Sequence, residues 1–376
     1  MRENSQKEND ATKKSIQSEE KPEESTCILI FYTLTNNQNC PKDSDDVQEI
    51  PMSNDICNSV LEIIGSTPLV VLNSLPDKDG PEILAKIEYV NPGGSIKDRI
   101  ARAMIEDAEN RGLLKPGGTV IESTSGNTGI GIALTAAVKG YKCIIVMTDK
   151  QGPEKVALLK AYGAEVVIVP ASAKPDSPEY NINTARRIQQ ETPDSYMTDQ
   201  DYNQVNPETH YKFTGPELWE QCKGRIDVLV SGIGTGGTIS GIAKFLKEKN
   251  PRIRSVGVEP AGSVFRSFME TGSVQLAGEH HMTGIGDDKI PGTVWFDYID
   301  EIVEVSDDDS FSTARRLTRE EAILAGPSAG CAVFAALNTA QSLSSDKRIV
   351  TIIPDTGHRY LNSLYSDDWM TSRGLL

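Results

Sequence analysis

A lysine near the start of a helix is ordinarily a solvated surface group, yet the run Asn91-Pro-Gly-Gly-Ser-Ile-Lys-Asp-Arg99 sets Lys97 apart. A Pro-Gly-Gly turn closes the short apolar stretch Ile83 to Tyr89, and Ser95 is placed to cap a helix opening with Ile96-Lys97-Asp98-Arg99. The amine of Lys97 then projects into the crevice between a strand and a helix. Desolvation and the positive helix end both favour its neutral, nucleophilic form there, which is the form that condenses with an aldehyde.

Three further segments bear on the same chemistry. Glu122-Ser-Thr-Ser-Gly-Asn-Thr-Gly129 follows the strand-like Thr119-Val-Ile and opens the apolar helix Ile130 to Val138, so its hydroxyls and free amides form a socket for a carboxylate or phosphate. Ser231-Gly-Ile-Gly-Thr-Gly-Gly-Thr238 lies between a strand, Asp227-Val-Leu-Val230, and a helix, Ile239 to Lys249; its small residues let backbone amides approach an anion closely. Ile352-Ile-Pro-Asp-Thr-Gly-His-Arg-Tyr360 sets the hydroxyl of Thr356 at a strand's carboxyl end, where open α/β sheets gather ligands.

The glycine loop also satisfies a second template. Gly232-Ile-Gly234-Thr-Gly-Gly237 reads as G-x-G-x-x-G between a strand and a helix, and Glu259 ends the following strand where a ribose contact would stand. Against a dinucleotide site, the motif falls far into the chain, and nothing nearby suggests a hydride-transfer partner.

Taken in order, these four segments resemble those of fold-type II pyridoxal-phosphate enzymes of the cysteine synthase and cystathionine β-synthase family, from about Ile56 to Met370. The resemblance implies pyridoxal 5′-phosphate as cofactor. It implies that Lys97 is the Schiff-base lysine and proton shuttle, and that Gly234, Thr235, Gly236, Gly237 and Thr238 cradle the phosphate. Asn127 matches the asparagine that meets the ring oxygen, and Thr356 the hydroxyl residue facing the pyridine nitrogen. Thr124, Ser125, Gly126, Thr128, Gln200 and Gly284 match the substrate-binding positions. A neutral hydroxyl at the pyridine nitrogen makes the ring a weaker electron sink, which suits β-replacement through an aminoacrylate intermediate.

The implied reaction is β-replacement on serine, cysteine or an activated serine, foremost the condensation of serine with homocysteine. Cysteine synthase, cyanoalanine synthase and cysteine lyase chemistry stand as alternatives, with a non-catalytic sensor behind them. Ala136 to Met147, Glu220 to Val230, Pro260 to Val264 and Ser366 to Met370 look more like the cystathionine β-synthase catalytic core than bacterial cysteine synthase. The pocket departs from that pattern. Asp201 follows Gln200 where an aromatic residue is usual. Thr283 stands in place of a glutamate and Asp287 in place of a tyrosine, so carboxylate-bearing acceptors such as homocysteine would be met differently.

With 38 basic against 54 acidic residues, the 376-residue chain carries a net charge of −16. That opposes binding to nucleic acid or an anionic membrane, so a cofactor phosphate must be held by local amides. Cysteines 27, 40, 57, 143, 222 and 331 show no metal-like pairing, no metal site is expected, and scattered thiols suggest a reducing, cytoplasmic setting. The charge-rich stretch before residue 26 lacks the pattern of a secretory signal, and its acidic residues oppose a mitochondrial transit peptide. Cys27 to Leu34 is too short to span a bilayer. Residues 1–55 are therefore expected to be a disordered or loosely docked extension. Animal cystathionine β-synthases hold haem through an N-terminal cysteine and histidine; the first histidine here is His210, so no haem is expected, nor a C-terminal regulatory module. His280 and His281 read as an exposed loop pair, His210 as a structural contact, and Trp219, Trp295 and Trp369 as packing residues.

The elements that must position these groups alternate. Strands are expected at 83–89, 119–122, 142–147, 164–169, 227–231, 253–259, 301–305 and 348–353. Helices are expected at 97–111, 127–139, 153–162, 208–222, 238–249, 308–325 and 329–341. The fold class is therefore α/β, with parallel-rich twisted sheets covered by helices on both faces. By the family pattern a smaller mobile domain spans 91–201, a larger one joins 56–90 to 202–370, the cofactor lies between them, and the protein is a homodimer acting on small amino-acid substrates.

Overall fold

The computed structural model describes residues 56–124 and 126–376; the expectations for residues 1–55 and for Ser125 lie outside the described residues. Two sheets carry the chain. The first orders its strands β1(Leu69–Val71), β2(Glu82–Ile87), β10(Arg348–Ile353), β7(Val228–Gly232), β8(Arg254–Pro260) and β9(Glu301–Val305). The second orders β5(Glu165–Val169), β4(Lys142–Thr148), β3(Thr119–Ser123) and β6(Ser195–Met197). Among the described residues, β1 is the only strand antiparallel to its neighbour.

Parallel sheets need cover on both faces, and the sequence supplies it with near-continuous apolar strands. Alternate residues separate the two sides. Ile83, Val230, Val256, Ile349 and Ile353 pack with Phe311, Ala314, Leu317, Cys331 and Val333 from the helices Asp307–Glu321 and Pro327–Ala340. Their strand neighbours Leu84, Leu229, Val350 and Ile352 pack with Leu218, Ile239, Ile242 and Leu246 from the opposite side. In the smaller sheet Val120, Ile145 and Met147 meet the helices Lys97–Asn110 and Asn127–Lys139, while Ile121 and Val146 meet Ala185 of the helix Asn181–Glu191.

The expected strands and helices are all present, most within a residue or two of their expected ends. The strand expected over 83–89 stops at Ile87, and Glu88–Val90 turn as a 3-10 segment. The helix expected over 208–222 begins at Val205 and passes through a π turn, His210–Thr214, before ending at Gln221. The helix expected to reach residue 325 ends at Glu321 because Ala322 is left-handed, at φ 58°; Ala325 then bridges to Thr356. Strands β1 and β6 and the helices Asn181–Glu191 and Phe265–Thr271 were not foreseen. Among the described residues, no helix is long and apolar enough to cross a membrane.

Candidate functional site

Lys97 is held by what surrounds it in sequence. Ser95 Oγ accepts from the Lys97 amide at 3.2 Å, but the cap position expected for it falls to Ile96, which makes no side-chain cap bond. Ser95 steadies the turn before the helix, and the amide of Ile96 donates to Pro354 O at 2.8 Å, tying the loop to the end of β10. Asp98 is fully buried and accepts from the Gly93 amide at 2.5 Å; a Cβ on Gly93 would lie 2.4 Å from Asp98 Oδ1, so no side chain fits there. One residue on, the guanidinium of Arg99 donates to both oxygens of buried Glu88 and both oxygens of Glu217, at 2.8–3.0 Å. This buried fork pins the first turn of the helix. Removal from water lowers the pKa of Lys97, and Asp355 and Asp201 pull it back in part. The neutral amine is thereby favoured.

The glycine loop joins β7 to the helix Gly237–Lys249. Among the described residues, none of the amides of Gly234, Thr235, Gly236, Gly237 or Thr238 finds a protein acceptor. The loop is fixed from behind: Asn206 Nδ2 donates to Thr235 Oγ1 at 3.0 Å, Thr293 Oγ1 donates to Thr235 O at 2.6 Å, and His210 Nε2 lies 3.3 Å from Thr238 Oγ1. His210 is buried, and burial first, then Arg99 and Lys97, hold its pKa well below the usual range. Gly236 has φ +83°, and a Cβ on Gly237 would sit 2.0 Å from Asn206 Oδ1. Five unspent donors at the positive end of a helix fit a phosphate. The dinucleotide alternative loses its acid, because Glu259 is fully buried and its carboxylate accepts from the amides of Phe265 and Arg266 at 2.9 and 2.8 Å. It caps a helix and has no room for a ribose.

The third segment lies at the carboxyl end of β3. Thr128 Oγ1 donates to Gln200 Oε1 at 2.5 Å, and Thr124 Oγ1 accepts from the Gly126 amide at 3.3 Å. Beneath them Glu122, 2% exposed, accepts from Thr198 Oγ1 and from the Gln200 amide. Burial, with Asp201 and Asp199 adding like charge, pushes its pKa up to about 8. Asn127 Nδ2 donates to Asp355 Oδ2 at 2.8 Å, and Arg359 donates to Asn127 Oδ1 and to Gly93 O.

These segments meet. Lys97, Thr124, Asn127, Thr128 and Gln200 line one cleft with Gly234, Thr235 and Gly284. An adjoining recess shares Lys97, Gly234, Thr235 and Gly284 with it and adds Gly236 and Thr238. Gly126 and Gly237 are not part of the cleft lining, nor is Thr356, whose Oγ1 lies 2.7 Å from His358 Nδ1 and caps the turn Gly357–Tyr360. Asp201, Thr283 and Asp287 do line the cleft. Burial raises the pKa of Asp287 to about 7. Sequence reasoning missed Lys289, whose Nζ lies 2.8 Å from Asp201 Oδ2 and answers the acids beside it. It also missed Lys155, Tyr180, Tyr360 and the buried Asp355. Asp355 and Tyr360 had a signal, both standing in the run around Thr356 already singled out.

Comparison with known proteins agrees with this geometry. A model of the family described as pyridoxal-phosphate dependent enzymes matches residues 60–355. The cystathionine beta-synthase of Apis mellifera is 48% identical over 323 residues, covering 85% of this chain and 64% of that protein. The cysteine synthase of Staphylococcus aureus is 44% identical over 314 residues, covering 83% of this chain and 98% of its own. The chain thus spans less than two thirds of the cystathionine beta-synthases it resembles, at 57–64% of their lengths. Among solved structures, a hydrogen sulfide-producing enzyme from Fusobacterium nucleatum superposes with a TM-score of 0.75 at 38% identity, over 81% of this chain and 100% of that one.

Proposed function

We propose a reaction from the premise that this chain belongs to the family of pyridoxal-phosphate dependent enzymes: β-replacement on serine, cysteine or an activated serine, foremost the joining of serine to homocysteine as in cystathionine β-synthase. The observation that carries it is the convergence of Lys97, the five unspent amides of Gly234 to Thr238, and the Thr128–Gln200 pair on connected cavities. Each part answers one need of the reaction.

Pyridoxal 5′-phosphate, when bound, supplies the electron-withdrawing ring that acidifies the substrate's α-carbon and permits loss of its β-substituent. The residues present fit it. In our reading the amides of Gly234 to Thr238 hold its phosphate, Lys97 Nζ its aldehyde carbon, and Asn127 its ring oxygen. Thr356 would meet the ring nitrogen by exchanging its hydrogen bond to His358. Lys97, favoured as the neutral amine, then takes the proton at the substrate's α-carbon and returns one to the leaving group. Thr124, Ser125, Gly126 and Thr128 with Gln200 and Gly284 hold the substrate carboxylate, and Glu122 keeps Gln200 in place. His210, neutral and bonded to Thr238, adds no second cation to the phosphate cradle.

The acceptor is set by the outer cleft. Asp201, Thr283 and Asp287 support a second reading in which a nucleophile smaller than homocysteine is used, while Lys289 offers the cation that an amino-acid acceptor's carboxylate would need. Purified holoenzyme should be given serine or cysteine with homocysteine, sulfide or cyanide, and the products identified by mass spectrometry. Cystathionine as the main product supports the first reading. Absence of any β-replacement product across the panel would refute both. We further propose that residues 91–201 move as a smaller unit against 56–90 with 202–370, since the four-stranded sheet lies wholly within residues 119–197. From the family resemblance we take the enzyme to be a cytoplasmic homodimer; a monomer in sedimentation would overturn that assignment.

A further inference from the structure

Beside the cleft lies a larger cavity, of about 630 Å³ against about 280 Å³, which the proposed reaction does not use. Residues 150–155, the loop 358–363, Trp369 of the helix Asp367–Thr371 and Arg373 just after it form most of its walls. Its charge is distinctive. Lys150, Lys155, Arg359 and Arg373 line it together with the imidazoles of His281 and His358, and Glu154 is the single carboxylate in the lining. The chain as a whole carries a charge of −16, so this is a local inversion of sign. Like charges gathered around a half-enclosed space repel one another, and the arrangement is favourable when an anion enters.

The contacts of these cations sharpen the point. Arg359 donates to Asn127 Oδ1 and Gly93 O, and Arg373 donates to Ser372 Oγ at 3.1 Å while its guanidinium stands 4.2 Å from the centre of the Trp369 ring. These hydrogen-bond and ring partners are neutral, and the carboxylates that do act on the cluster, Asp355 on Lys155 and Asp98 on Arg359, are buried behind the cavity wall and are not part of its lining. The carboxylate of Glu154 is taken up by Asn362 Nδ2 at 3.0 Å, which joins the helix Pro153–Ala161 to the loop across the cavity. Trp369 is packed against Phe311 and lies edge-on to His281, so the aromatic wall is filled and the ligand is selected by charge.

We propose that this cavity is a binding site for a small multivalent anion, a molecule bearing several carboxylate or phosphate groups. Its occupancy is linked to the catalytic cleft. The two spaces share Lys155, Thr283 and Tyr360, and Arg359 reaches from the cavity to Asn127 and Gly93. An anion that draws Arg359 toward itself weakens those bonds, so the anion and the cofactor must alter each other's affinity by the same factor.

Calorimetric titration of the holoenzyme with citrate, and separately with pyrophosphate, at constant ionic strength tests the site. The parent protein should bind one anion per chain. Lys150→Ala at an exposed position should weaken binding about threefold, and Lys150→Ala with Arg373→Ala about tenfold, with turnover in anion-free buffer unchanged. Lys289→Ala, in the cleft, should leave anion affinity as it was. Whichever probe binds more tightly distinguishes a carboxylate from a phosphate ligand. The proposal fails if neither anion binds saturably, if the double variant binds as the parent does, or if Lys289→Ala is the substitution that abolishes binding, which would put the anion in the cleft.

Discussion

Glu122→Gln is the most discriminating substitution for the inner architecture of the site, because it keeps the shape of the side chain and removes its titration. In the folded protein this carboxyl is 2% exposed, accepts from Thr198 Oγ1 and the amide of Gln200, and has its pKa pushed by burial to about 8 from the ordinary 4.5. A raised acid pKa means that between these values the folded state holds a proton the unfolded chain has released. Stability therefore falls as pH rises through that window, at about 1.4 kcal/mol per unit for this one group. The full loss above pH 8 is on the order of 5 kcal/mol, an upper bound that water penetration and relaxation would reduce to a few. Glutamine mimics the neutral acid and removes the penalty. Urea denaturation of parent and variant at several pH values between 5 and 8.5 should give curves that coincide at the acid end and diverge upward for the variant. Parallel stability curves would show that Glu122 is ionised in the fold and that the account of its burial is wrong.

Other substitutions test separate links. Lys97→Ala should lower turnover by about 10²–10⁴-fold while retaining cofactor held at the phosphate loop, and borohydride reduction of the parent should leave the pyridoxyl group on Lys97 in a peptide map; near-normal turnover would end the assignment. Arg99→Met leaves the carboxylate of Glu88 buried without its cation, while Glu217 keeps its ion pair with Lys86, and should cost about 3–5 kcal/mol in urea denaturation together with cofactor occupancy, whereas a loss under about 1 kcal/mol would mean the fork does not anchor the helix. Replacing Asp201 and Asp287 with tyrosine and Thr283 with glutamate should raise the use of homocysteine over sulfide by about tenfold, a modest factor because Lys289 already offsets the Asp201 charge in the parent. An unchanged product ratio would remove these three residues from the specificity account.

What the sequence disclosed and what it withheld follow from how each residue is constrained. Lys97 follows a Pro-Gly-Gly turn whose Gly94 is left-handed at φ 76°, and Gly236 is left-handed at φ 83° in the loop that opens a helix. Such constraints are local, so a run of residue types reports them. The alternation of apolar strands with helices is local as well, which is why the long elements fall near their expected ends. Lys289 carries no such mark. It matters only because the tertiary fold brings it to Asp201, and its own neighbours in sequence would suit any acidic loop. Arg359 and Lys155 likewise acquire their meaning from the turn Gly357–Tyr360 and the helix Pro153–Ala161 meeting at the larger cavity, which both side chains line. Glu259 shows the converse error. Its spacing from the glycine loop matched a ribose contact, but two amides of the next helix had already claimed its oxygens. A motif specifies which backbone groups are available, and only the packing decides which of them are still unspent. Among the described residues the five amides of the glycine loop are such unspent groups, and the reading of the phosphate site rests on them.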